Sequence, residues 1–104
     1  IFENAFSLAV GIYEEKAFRD FDPEKGDWGK LPRKAIADAV LIALSENEEH
    51  RGSLLAAREK LIKATEKLFR RHPLHLLRGH GSGDAIRRRI RLFRQLFQRF
   101  VGDP

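Results

Sequence analysis

The chain has 104 residues, 42% hydrophobic and 34% charged, with a net charge of +5 and no cysteine. That size supports one domain with a modest core, and the missing cysteines exclude a disulfide framework and any cysteine-ligated metal. No apolar run approaches the roughly 20 residues of a membrane span, and no basic-then-apolar secretory leader opens the chain, so a cytoplasmic protein without a membrane partner is expected.

The charge is divided unevenly. Residues 1–50 hold six basic and eleven acidic side chains, whereas residues 51–104 hold fourteen and four. Part of this asymmetry is satisfied if the halves attract one another inside the fold. The basic excess that remains favours a polyanion such as nucleic acid, without sequence specificity. Ile1 opens the chain with helical periodicity already under way. The chain therefore reads as a single helical domain, residues 1–104, from the C-terminal part of a longer protein. Its first expected partner is the missing N-terminal domain.

In chain order, Phe2, Phe6, Ala9 and Tyr13 repeat at helical spacing, with Ala5, Leu8 and Ile12 on the flank, and predict a first helix over residues 2–13. Gly11 weakens its end by about 1 kcal/mol relative to alanine. Residues 17–30 read as a loop, from the turn pairs Asp22-Pro23, Lys25-Gly26 and Trp28-Gly29. Phe18, Phe21 and Trp28 are expected to plug the bundle from this loop; Trp28 as a ligand-stacking surface is the alternative. Asp20, Asp22, Glu24 and Asp27 lack the ligand order and closing glutamate of a calcium loop, so a solvated acidic loop is expected.

Pro32 suits the first turn of a second helix that runs to about Ser45. Ile36, Ala39, Val40, Ala43 and Leu44 form its stripe, and Leu41 and Ile42 make it apolar nearly all round. It should be the most buried element. Ser53 is placed to cap a third helix over residues 54–71. Leu54, Leu61 and Leu68 form one column and Leu55, Ile62 and Phe69 another. Glu59 with Lys63, and Glu66 with Arg70, are pairs four apart on its wet face. Lys60, Lys63, Lys67, Arg70 and Arg71 give this helix a basic flank. Pro73 then interrupts the helical pattern, and glycines at 79, 81 and 83 follow.

The last helix, over residues 82–101, holds six arginines. Ile86, Ile90, Phe93, Phe97 and Phe100 recur at steps of four and three on one face, widened by Leu92 and Leu96. Arg87, Arg91 and Arg94 lie opposite, with Arg88 and Arg99 near the edge, and Asp84 suits the first turn. Arg89 alone falls inside the apolar arc. It must snorkel or meet a carboxylate, and a structural ion pair with another helix is expected; Asp38 is one candidate partner.

Catalytic constellations are not evident. His72, His75 and His80 lie close in sequence, but no ligand pattern of a zinc site accompanies them. No G-x-S-x-G elbow is present. The glycines of RGHGSGD precede a helix start, where a phosphate could sit, but their spacing is not a nucleotide fingerprint and Asp84 would repel the anion. No catalytic residue, metal or other cofactor is expected. The candidate nucleic-acid-binding side chains are Arg87, Arg88, Arg91, Arg94, Lys63, Lys67 and Arg70.

Three segments carry a family resemblance: FENAFSLAVGIYEEKAFRDF (residues 2–21), KLPRKAIADAV (30–40) and GSGDAIRRRIRLF (81–93). Together they resemble the helical C-terminal region of GmrSD-type restriction proteins, whose N-terminal domain has a ParB-like nuclease fold. The resemblance carries over Phe18, Arg19, Pro32, Arg89 and Ile90 as structural positions. The family's D-G-Q-Q-R type signature and its HNH domain do not occur here, and Arg33 and Lys34 follow the proline where relatives often have asparagine.

The expectation is therefore an all-α bundle of four main helices, with a long aromatic-containing loop between the first two. Its expected function is that of a noncatalytic domain of a prokaryotic anti-phage restriction protein. It would support the nuclease domain, with DNA as a second partner of the arginine-rich faces. The alternative is a protein-interaction or oligomerisation module without nucleic-acid contact.

Overall fold

The apolar stripes of the sequence become an all-α bundle in the computed structural model, which describes residues 2–77 and 82–101. Four long helices carry it: α1 (Glu3–Tyr13), α2 (Lys34–Ser45), α4 (Arg58–Arg71) and α6 (Gly83–Gln98). Two short helices, α3 (Arg51–Ala56) and α5 (Pro73–Leu76), lie between them. The radius of gyration of 12.7 Å is close to the roughly 13 Å of a folded chain of this length.

The second helix is the hub, as its all-round apolar character implies. α2 packs most extensively on α6 and next on α1, burying Ile36, Ala39, Val40, Ala43 and Leu44. Leu8 and Ile12 from α1, Leu61 and Phe69 from α4, and Phe93, Leu96 and Phe97 from α6 complete the centre. Tyr13 is buried with them. Thr65 spends its hydroxyl proton on the Leu61 carbonyl at 2.7 Å, so the Tyr13 phenol donates to Thr65 Oγ1, also at 2.7 Å. Burial pushes the Tyr13 phenol well above its ordinary pKa, and the bond to Thr65 offsets this only in part.

The aromatic loop plugs the bundle as expected, but it is not wholly irregular. β1 (Phe21–Asp22) and β2 (Asp27–Trp28) pair antiparallel, with Phe21 opposite Trp28. Asp22 closes the turn, accepting from the backbone N–H groups of Glu24 at 2.9 Å and Lys25 at 3.2 Å, and Gly26 takes the left-handed conformation the turn requires. Phe18 and Phe21 are buried. The Trp28 ring lies 5.4 Å from Phe21, 6.3 Å from Phe69 and 6.4 Å from Tyr13, and its Nε1 donates to Glu66 at 3.0 Å. It is a seal between hairpin and α4.

Four local expectations are corrected. Pro32 precedes α2 rather than opening it. Arg33 is extended at the N-cap, held there by its N–H on the Phe18 carbonyl at 2.8 Å and its guanidinium on Asp20 at 3.0 Å. The expected third helix is two, broken at Ala57, and it starts at Arg51, so Ser53 lies inside α3 instead of capping it. Packing supplies the reason for the break. A Cβ on Gly11 would stand 2.8 Å from Leu55 Cδ2, so the glycine lets α3 seat Leu55 closely on α1, while α4 runs on to meet the hairpin and α6. Neither four-apart pair on α4 forms a salt bridge; Glu66 serves Trp28 instead of Arg70, whose guanidinium lies 5.5 Å above the Phe21 ring. Finally, Ile86 is exposed, and burial on α6 runs through Arg89, Phe93, Leu96 and Phe97. The long aliphatic stem of Arg89 takes a core position that residue type alone would deny it.

Candidate nucleic-acid interface

α6 begins where the sequence implies. Ser82 caps it, its hydroxyl accepting from the Ala85 N–H at 3.2 Å, with Asp84 in the first turn. This orientation distributes the candidate arginines very differently. Arg94 is clamped by Glu46, with Nε and Nη2 at 2.6 and 2.7 Å from the two carboxylate oxygens. Hydrogen bonds from Arg94 hold the Glu46 carboxyl below the usual carboxylate range, and Glu46 in turn raises the pKa of Arg94. Arg87 folds back onto Asp84 at 2.6 Å. Arg88 and Arg91 are exposed.

Arg89 is 4% exposed. Its Nη1 donates to the His75 carbonyl at 3.4 Å, which ties α6 to α5. Asp38, weighed above as its carboxylate partner, is instead exposed and 3.7 Å from Lys34 on its own helix. Of the other positions carried over from the resemblance, Phe18 is buried, Arg19 donates to the Gly29 carbonyl at 3.4 Å, Ile90 is half-buried and Pro32 is exposed.

The cations gather somewhere else. Between α4 and the C-terminal half of α6 runs a trough of about 580 Å³. Lys60, Lys63, Lys67 and Arg71 stand along the α4 side, at steps of three, four and four, which is one helical flank. Arg99 and Gln95 stand on the α6 side. Ala64, Leu68, Leu92 and Leu96 form the floor, with His72 and Phe100 also at the lining. Among the described residues no aspartate or glutamate lines this trough. Among the described residues no salt bridge uses Lys60, Lys63, Lys67, Arg71, Arg88, Arg91 or Arg99. Arg88 is one turn before Leu92 on the same flank of α6, so it extends the basic rim toward α5.

Of the seven candidates from the sequence, the trough thus brings together Lys63 and Lys67. Arg70 faces the hairpin, and Arg87, Arg88, Arg91 and Arg94 are not part of its lining. The basic flank of α4 is legible in the sequence, but its juxtaposition with Arg99, Gln95 and Phe100 is not. That depends on how α4 and α6 are set beside one another, which no periodicity encodes.

A second, larger cleft of about 810 Å³ lies between the hairpin and α5 and has the opposite character. Asp20, Asp22, Glu24 and Asp27 line it and outnumber Lys25 and Lys30 beside them, with Asp20 already engaged by Arg33 and Asp22 by backbone N–H groups. It would repel a polyanion. Among the described residues no three His, Cys, Asp or Glu side chains gather as a metal would need. The His72 and His75 rings are 6.3 Å apart, and His80, Gly79 and Gly81 lie outside the described residues. None of the described helices is long and apolar enough to cross a membrane.

The fold and this lining define a small all-α bundle with a cationic trough between two of its helices. No family model, no curated protein and no solved structure matches the chain.

Proposed function

We propose that this chain is a noncatalytic helical module that binds nucleic acid, holding phosphates in the trough between α4 and α6. The observation that carries this reading is the lining itself: among the described residues, five permanent cations on α4 and at the end of α6 and not one carboxylate. Lysine and arginine displace condensed counterions from a phosphate backbone, which drives sequence-independent binding. Arginine adds bidentate contacts that lysine cannot make. The resemblance of residues 2–21, 30–40 and 81–93 to the GmrSD-type helical region supports a setting beside the nuclease domain of a prokaryotic anti-phage restriction protein.

Fluorescence anisotropy with labelled oligonucleotides at about 50 mM salt, where such contacts are strong, tests the reading. Binding that collapses in Lys63→Glu/Lys67→Glu, a variant whose fold is verified by circular dichroism, is the expected result. Absence of binding by the unaltered chain contradicts it.

One observation favours the interaction-module alternative. Phe2 at the N-cap of α1, and Phe6 and Val10 at steps of four along it, are 39, 53 and 41% exposed and form an apolar stripe outside the core. Concentration-dependent self-association, abolished by Phe6→Ser, together with no oligonucleotide binding, is the result that reading requires.

A further inference from the structure

The trough's shape says more than its charge. Helices in contact have axes about 8–10 Å apart, so a furrow between two of them is narrower than a nucleic-acid duplex, whose major groove alone is about 12 Å wide. α4 and α6 are in contact at this furrow's floor, where Leu68 and Leu96 are both buried and the neighbouring Phe69 and Phe93 rings are 6.5 Å apart. A duplex would touch the rims and leave the interior unused. A single strand fits within.

The interior is also unlike a pure phosphate site. Its floor is apolar, and Phe100, half-buried at the lining, has the Arg99 guanidinium 5.9 Å from its ring centroid. The guanidinium lies over the ring, and aromatic rings and guanidinium planes are the faces on which unpaired bases stack. The cationic wall of α4, from Lys60 to Arg71, is about 16 Å long at 1.5 Å per residue. That length follows a strand backbone over several nucleotides, not one anion.

Resting on the nucleic-acid reading above, we infer that the α4/α6 trough takes single-stranded nucleic acid in preference to duplex, with phosphates along Lys60, Lys63, Lys67 and Arg71 and a base stacked at Phe100 and Arg99. A run of aspartate and glutamate would meet the same cations, but its side chains carry no flat ring to place against Phe100.

The experiment uses the full chain and a labelled oligothymidylate of about 12 nucleotides, within the usual range for such sites. Its comparators are a duplex of equal length and two unlabelled competitors, inorganic polyphosphate and polyglutamate. The single strand is expected to bind about tenfold tighter than the duplex. Phe100→Leu keeps the apolar volume and removes the ring. It should weaken the oligothymidylate about tenfold, the scale of one lost stack, and leave polyphosphate competition unchanged. Lys63→Ala/Lys67→Ala should weaken both. Equal or tighter duplex binding that still depends on Lys63 and Lys67 overturns this inference and leaves the nucleic-acid reading standing. An unaffected Phe100→Leu overturns the stacking contact and with it the inference. Displacement of the oligothymidylate by polyglutamate as readily as by polyphosphate assigns the trough to acidic protein segments instead. No binding of either nucleic acid overturns both readings.

Discussion

Removing two lysines from the trough changes how steeply binding depends on salt, and the size of that change follows from the lining. Lys60, Lys63, Lys67, Arg71 and Arg99 supply five permanent charges. If each meets one phosphate, log K falls against log salt with a slope of about −3.5 for a single strand, at roughly 0.7 per contact. Affinity would then drop about two orders of magnitude between 50 and 200 mM salt. In Lys63→Ala/Lys67→Ala three contacts remain, and the slope relaxes to about −2. Arg87→Ala/Arg91→Ala removes the same formal charge from outside the trough and should leave the slope near its original value. Anisotropy titrations at four or five salt concentrations measure both. An unchanged slope in the lysine variant, or an equal change in the arginine variant, refutes the assignment of phosphates to this trough.

Other expectations concern the fold that holds the trough open. Phe97→Ala empties a fully buried site and should cost about 3–5 kcal/mol in chemical denaturation; a loss below 1 kcal/mol would mean α6 is not docked as described. Arg89→Ala removes a buried guanidinium and its bond to the His75 carbonyl, with an expected loss of about 2–3 kcal/mol; a neutral result would show that α5 does not depend on it. Tyr13→Phe deletes a donor but leaves Thr65 bonded to Leu61, and about 1 kcal/mol is expected. Because the folded phenol is raised above its unfolded value, its contribution is complete below about pH 10 and declines above it; a Tyr13→Phe penalty that persists unchanged in strong alkali would contradict this. The Glu46 carboxyl is depressed, so its contribution is present above the ordinary carboxylate pKa and fades as pH falls through the folded one. Glu46→Gln should cost less than 1 kcal/mol at neutral pH, since both partners are 41% exposed, and nothing in acid.

Much of this architecture is legible in residue spacing, and the exceptions have physical causes. The stripes of α1 and α2 and the late aromatics of α6 specify elements and inward faces, because burial follows helical period. Helix ends and breaks were harder. Ala57 is an ordinary helix former, and α3 parts from α4 there in a stretch where Leu55 finds the gap left by Gly11. Gly11 reads as a weakness from propensity alone and is a contact surface in the fold. Arg89 was visible as an anomaly, yet its described bond is to a backbone carbonyl, which leaves no trace in sequence. Ionic partners were the least legible. Glu46 and Arg94 are 48 residues apart, and nothing local to either announces the clamp that takes Arg94 out of contention. The candidate site was half legible for the same reason: one wall is a periodic flank of α4, and the other exists only once α6 is set beside it.

The central claim, that nucleic acid lies between α4 and α6, is tested most directly by amide NMR of the isotope-labelled chain titrated with oligothymidylate. Shift changes should cluster at Lys63, Ala64, Lys67, Leu92, Gln95, Arg99 and Phe100. Changes centred on Arg87 and Arg91, on the Phe2–Phe6–Val10 stripe of α1, or nowhere at all would contradict it.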